Sequence, residues 1–316
     1  MIQLRRRSLL AAGVTMPFVS RQARSEETVV KMGVLKLIHS ITPYFYEKFA
    51  PAGTKFEVIA FESPNDCKNA VVTKSIDFGT FGVAAGILSA VAREPLSIIG
   101  SACNKGMAIV AAKNSDIATL KDLKGKKVAI WPGSTQEVFV LERLRMEGMS
   151  VKDVIPVRVS FSEMHAALAR GDVDAYVGAE PAPGVSLSTG IGKIVEYPYS
   201  TPMGSLNMIL ATHRETITAK PELCRMMVDV QRKASAYAMG NPAAMVDMAV
   251  AKLGQKREAI AISAPNVELN WRMTPEFLAQ ATAYAEQMVA LKQIKAMPDM
   301  AALFDLRFSN EVAKTA

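Results

Sequence analysis

Apolar positions along the chain recur with two different periods, and the switch between them divides it. Up to residue 213, short runs rich in Val, Ile and Phe alternate with longer amphipathic stretches. The runs at 28–36, 55–61, 75–81, 96–102, 106–113, 126–131, 153–159, 172–178, 192–197 and 205–212 predict strands. Helices are expected between them, near 43–50, 64–74, 83–93, 134–148 and 162–170. Alternation of this kind predicts α/β layers with largely parallel sheets. Beyond residue 213 the period becomes helical, with segments 220–240 and 241–254 ending at Gly240 and Gly254. Thr274 and Pro275 then open a further helix as cap and first-turn residue. Its apolar face is Phe277, Ala281, Tyr284, Met288 and Leu291.

The N-terminus breaks this grammar. Arg5-Arg6-Arg7 precedes the apolar run Ser8–Val19, and small residues follow at Ala23 and Ser25. A basic head, a short apolar core and a small-residue cut site predict an export signal over residues 1–25. Arg6-Arg7-Ser8-Leu9-Leu10 has the form of a twin-arginine signal, against a plain secretory one as the alternative. Its removal changes the charge argument. The whole chain carries 37 basic and 30 acidic residues; five of the arginines lie in 1–25, leaving 32 against 30, a net of +2. A nucleic-acid partner has no support in that balance. No apolar run is long enough to span a membrane, and no cysteine follows the signal core to carry a lipid anchor. Cys67, Cys103 and Cys224 fit no metal spacing and are expected as buried packing residues, with a Cys67–Cys103 bridge as the alternative. No metal or cofactor is expected.

The stretch IWPGSTQEVFVLERL, 130–144, places two hydroxyls where a strand stops and a helix starts. Ser134 lacks the elbow of a nucleophilic serine, and the histidines, His39, His165 and His213, are dispersed. There is no phosphate-loop lysine either. Two readings remain. The free N–H groups of the helix start could hold an anion, with Gly133 allowing close approach, or Ser134 or Thr135 could only cap the helix. Glu180, in GAEPAPG, ends a strand, where ligand crevices of open α/β sheets lie; a solvated acid at a helix start is its alternative. A faint internal echo pairs AVVTKSIDFGTFG (70–82) with ALARGDVDAYVGAEP (167–181), aligning Asp77 with Asp174 and suggesting two similar domains.

Three segments carry a resemblance. They are NAVVTKSIDFGTFGVAA (69–85), LKDLKGKKVAIWPGSTQEVFVLERLRMEGMSVKDV (120–154) and AALARGDVDAYVGAEP (166–181). In this order and spacing they resemble periplasmic solute-binding proteins of ABC importers. The group is the nitrate/sulfonate/taurine type, with its thiamine-pyrimidine-precursor-binding relatives. The resemblance implies an α/β, two-domain, type II-like periplasmic-binding-protein architecture with a ligand cleft and extra C-terminal helices. It implies a discontinuous first domain, 26–111 plus 206–316, and a second domain, 112–205. It implies an exported, monomeric, non-enzymatic capture protein that delivers a small organic anion or zwitterion to a membrane permease and its ATPase.

Carried onto this chain, the ligand positions are Ser40, Thr42, Tyr44 and Phe45 after the first strand, then Thr80, Phe81, Gly82 and Val83. Gly133, Ser134 and Thr135 follow, then Glu180 and Pro181. Asp77 and Asp174 match the family but sit at turns, which implies a structural role. Two departures leave the ligand open. The first loop reads LKLIHSITPYFY, without the family's frequent Gly/Pro-rich run, and Ala179 stands where an aromatic often precedes Glu-Pro. The alternatives are a pyrimidine or other aromatic heterocycle as ligand, or an enzyme on the same scaffold. The related thiamine-pyrimidine synthases use an iron- and histidine-dependent, Cys-rich site, and the three cysteines here form no cluster. A ligand-sensing partner of a membrane receptor is a third reading.

Overall fold

The computed structural model describes residues 27–315, so the expected export signal lies outside the described residues. Each expected strand forms. In chain order they are β1 (Thr28–Leu35), β2 (Thr54–Phe61), β3 (Phe78–Gly82), β4 (Leu96–Lys105) and β5 (Met107–Ala112). Then come β6 (Lys127–Ile130), β7 (Ile155–Arg158), β8 (Ala175–Ala179), β9 (Gly192–Glu196), β10 (Leu206–His213) and a short β11 (Val267–Leu269) that the pattern did not predict. They build two sheets, one ordered β11-β4-β10-β3-β1-β2 and the other β7-β6-β8-β5-β9.

The expectation of largely parallel sheets is corrected. β1 pairs parallel with β2 and β3, and β6 with β7 and β8. The other pairings are antiparallel: β10 with β3 and β4, β11 with β4, and β5 with β8 and β9. The reason is the chain path. It leaves the first sheet through β4, enters the second through β5, and returns through β10, which inserts between β3 and β4. The strand Met107–Ala112, assigned from the sequence to the first domain, therefore pairs in the second sheet. The crossing occurs at Gly106, where φ is +76° and a Cβ would lie 2.1 Å from His39 Nε2, so only glycine fits.

Both halves repeat one local device. Asp77 accepts from the Lys31 N–H at 2.8 Å and its own N–H donates to Lys31 O at 2.9 Å, tying the start of β3 to β1. Asp174 does the same for β8 and β6, accepting from Lys127 N–H at 2.7 Å and donating to Lys127 O at 2.8 Å. The echo in the sequence is thus a structural staple. The C-terminal helices Pro221–Gly240, Pro242–Leu253 and Pro275–Ala290 form as the periodicity predicts, and Thr274 caps the last through the Phe277 N–H at 3.1 Å. Cys67, Cys103 and Cys224 are free and buried, and burial pushes each thiol up, Cys224 to about 12.

Candidate functional site: the cleft between the sheets

The loop after β1 folds into a 3-10 turn, Ile38–Ser40, and a 3-10 helix, Thr42–Lys48, started by Pro43. Ser40 is buried; its hydroxyl accepts from the Leu35 N–H at 3.2 Å and from Thr80 Oγ1 at 3.1 Å. The structure thus brings Ser40 and Thr80 together, as fasteners between the loop and β3. Thr42, Phe81 and Val83 are fully buried. Tyr44 is half-buried under Lys252, whose Nζ lies 5.0 Å from the ring centroid, and Phe45 meets Tyr237 edge-on at 5.5 Å. Those two aromatics pack against the C-terminal helices.

The loops Thr80–Val83 and Gly133–Thr135 face each other across the cleft. Thr135 Oγ1 accepts from the Ala84 N–H at 3.4 Å and donates to Asn207 O at 3.5 Å. A Cβ on Gly82 would lie 2.4 Å from that oxygen, so glycine is what lets the two loops meet. Ser134 is the cap of the helix Thr135–Met146, accepting from the Glu137 N–H at 3.1 Å. Glu137 reaches back to accept from the Gly133 N–H at 2.8 Å, and from Gln293 Nε2 of the other lobe at 2.9 Å. Burial pushes the Glu137 carboxyl up, and these two bonds pull it the other way. In this arrangement the Ser134 hydroxyl takes one of the helix-start N–H groups expected to draw an anion, and the chain's own carboxylate sits beside them on the Gly133 N–H.

Glu180 and Pro181 follow β8. The Glu180 carboxylate is buried and accepts from Asn266 Nδ2 at 2.7 Å and the Gly184 N–H at 3.0 Å. Its backbone carbonyl accepts from the Ile38 N–H at 3.2 Å, and its own N–H donates to Gly106 O at 2.9 Å. Burial pushes this carboxyl up against the pull of its hydrogen bonds. Beside it, His39 lies fully buried with Nε2 3.1 Å from Lys105 O, and burial pushes the imidazole down to about 4. Glu180 is therefore an anchor between the lobes as well as a neighbour of the cleft.

The open space at the cleft is a pocket of about 80 Å³. Lys36 and Leu37 line it from the first lobe, Phe161, Ser162, His165, Pro181, Ala182 and Val185 from the second, and Leu253 and Gln255 from the C-terminal helices. At its mouth Glu62 accepts from Lys36 Nζ at 2.5 Å and from Ser162 Oγ at 3.1 Å, a bridge between lobes. Phe161 packs against Trp131 with centroids 6.4 Å apart, and Arg158 lies over the Trp131 ring at 5.0 Å. Burial pushes the His165 imidazole below its ordinary value. The result is a small pocket with apolar walls, a Lys36–Glu62 ion pair at its mouth and an imidazole that burial shifts towards its neutral form.

Of the expected positions, only Pro181 lines this pocket; Gly82 and Thr135 meet across the lobes, and Thr80 is bonded to Ser40 within the first. Sequence reading missed Lys36, Phe161, Ser162 and His165. The rule that ligands gather at strand C-termini, applied to the strand expected at 153–159, points to Phe161–His165. No sequence signal brings in Gln255, which arrives from the far end of the chain.

Comparison with known proteins places this geometry. The alkanesulfonate-binding protein SsuA from Xanthomonas axonopodis pv. citri, bound to MOPS, superposes with a TM-score of 0.78. The two are 19% identical, over 89% of this chain and 99% of that one. The desulfurization enzyme DSZB shares the fold at a TM-score of 0.69 and 16% identity, over 91% of this chain and 99% of that one. In sequence, a candidate aliphatic sulfonates-binding protein of Escherichia coli (strain K12) is 32% identical over 139 residues. That match spans 43% of this chain and 44% of that protein, less than half of either. The architecture is the periplasmic-binding-protein fold. Residues 45–245, well over half of the sequence, match the family described as NMT1/THI5 like, and the chain belongs to that family.

Proposed function

We propose that the protein captures a small organic anion or zwitterion between its two lobes and hands it to an ABC permease with its ATPase. The observation that carries this reading is the interlobe pocket, where Lys36 and His165 stand among apolar walls at strand C-termini. A pocket of about 80 Å³ is well below the roughly 300–1,000 Å³ of typical ligand sites. Larger ligands enter this reading by parting of the lobes at the two strand crossings, with closure driven by contacts made in the closed state. A sulfonate or carboxylate would draw Lys36 from its partner Glu62, and the sulfonate-binding relatives support that class. The lobes divide near Gly106 and again between β9 and β10. We propose export after loss of residues 1–25, a periplasmic location and a monomeric state. Among the described residues no helix is long and apolar enough to cross a membrane.

A second reading has one observation in its favour. The Trp131–Phe161 pair with Arg158 stacked on it offers an aromatic wall, which suits a pyrimidine or other heterocycle. Thermal shift and calorimetry against alkanesulfonates, aminosulfonates, carboxylates and pyrimidines separate the two. The proposal expects a ligand that raises the midpoint, and a loss of about tenfold or more in its affinity in Lys36→Met. An unchanged affinity in Lys36→Met would remove the pocket from the site, and turnover of a panel member would replace capture by catalysis.

A further inference from the structure

An apolar concavity among the C-terminal helices lies away from the cleft. It is a groove of about 430 Å³ between the helices Pro221–Gly240, Pro242–Leu253 and Arg257–Ser263. Met245, Ala264 and Val267 form its buried floor, and Met239 and Ala261 stand exposed at its lip. Among the described residues, Arg257 is its one charged lining residue. The groove is not a gap left by loose packing, because its wall works on both sides. Ala259, Ile260 and Ser263 on the other face of the short helix are buried, with Ala259 and Ser263 against Gly184 of the helix Ala182–Ser188. Asn266, next along the chain, holds the Glu180 carboxylate. The wall is thus fixed by the interlobe contact while its outer face stays apolar and open.

We propose that this groove is a second ligand site, for an aliphatic chain carrying an anionic head. The volume falls within the range of small-molecule sites, which are mostly apolar with a few polar groups that fix orientation. Met side chains adapt to a flexible chain. The head would meet Arg257, a planar donor suited to carboxylate or sulfonate. Its present partner, Asp247, is exposed, as Arg257 is, so a ligand head competes with it for the guanidinium and adds a modest share of the affinity to that of the buried chain. The proposal stands independently of the reading of the cleft.

The test uses the full chain and decanoate as the probe, by titration calorimetry, with decanol for comparison. Saturable one-to-one binding of decanoate is expected. Ala243→Trp and Ala261→Trp, both at exposed lining positions, should each abolish it without lowering the melting temperature. Arg257→Gln should weaken decanoate about threefold and leave decanol unchanged. No saturable binding of decanoate would overturn the proposal and leave the groove to a macromolecular partner. Binding that survives both tryptophan variants, or that is lost in Lys36→Met, would place the probe elsewhere and overturn it equally.

Discussion

His39 shows how far one side chain can be from its sequence-level role. As one of three dispersed histidines it suggested no chemistry. In the fold it is wholly buried against the Lys105 carbonyl, at the point where the chain crosses from sheet to sheet. Burial lowers its imidazole from 6.5 to about 4. As pH falls, the unfolded chain takes up this proton first. Stability from His39 is therefore intact above about 6.5 and lost progressively down to about 4, by as much as about 3 kcal/mol. His39→Gln keeps an N–H donor for Lys105 and removes the titration. Urea unfolding at pH 7, 5.5 and 4 should show the variant losing less stability than the wild type over this window. Parallel losses would show that another group is responsible. Glu180 and Glu137 act with the opposite sign. Their raised carboxyls cost stability as pH rises through their folded values.

At the scale of elements, the strands were legible because β-branched runs between turns have little alternative, and the caps at Ser134 and Thr274 were legible because a hydroxyl at a helix start has a defined partner. β11 was not, since three residues carry no period. Nor was the direction of β5 and β10, which depends on where the chain returns and not on their own residues. The site was read only in part for the same reason. The loops 80–83 and 133–135 were expected at the cleft from the family resemblance, but their contact depends on Gly82 meeting Thr135, 53 positions apart by subtraction. The Gly82 backbone, with φ −63°, suits any residue, so Thr135 is the whole objection to a side chain there. Gly82→Ala should destabilise the protein by about 1–3 kcal/mol. Thr135→Ala should relieve most of that, and Thr135→Ser, which keeps the oxygen, should not. A double-mutant cycle by thermal unfolding measures the coupling; additive effects would separate the two loops.

Across the whole molecule, the two sheets are unequal in how the chain supplies them. The second is assembled wholly from residues 107–196, an uninterrupted stretch. The first is not. Its β10 lies between β3 and β4 and is paired to both, yet it follows the entire second sheet in sequence. During synthesis, β3 and β4 must wait for a shared partner that is made only after the whole second sheet, with unpaired edges of the kind that invite misassociation. The second lobe, made of nearer contacts, has no such delay. A fragment ending at residue 204 should therefore keep 107–196 protected from protease while 28–105 is cut. Equal protection of both would show that the first four strands can close without β10. In the whole chain, Leu206–His213 sets the clock: the order in which the ribosome delivers the strands makes the lobe begun first the one finished last.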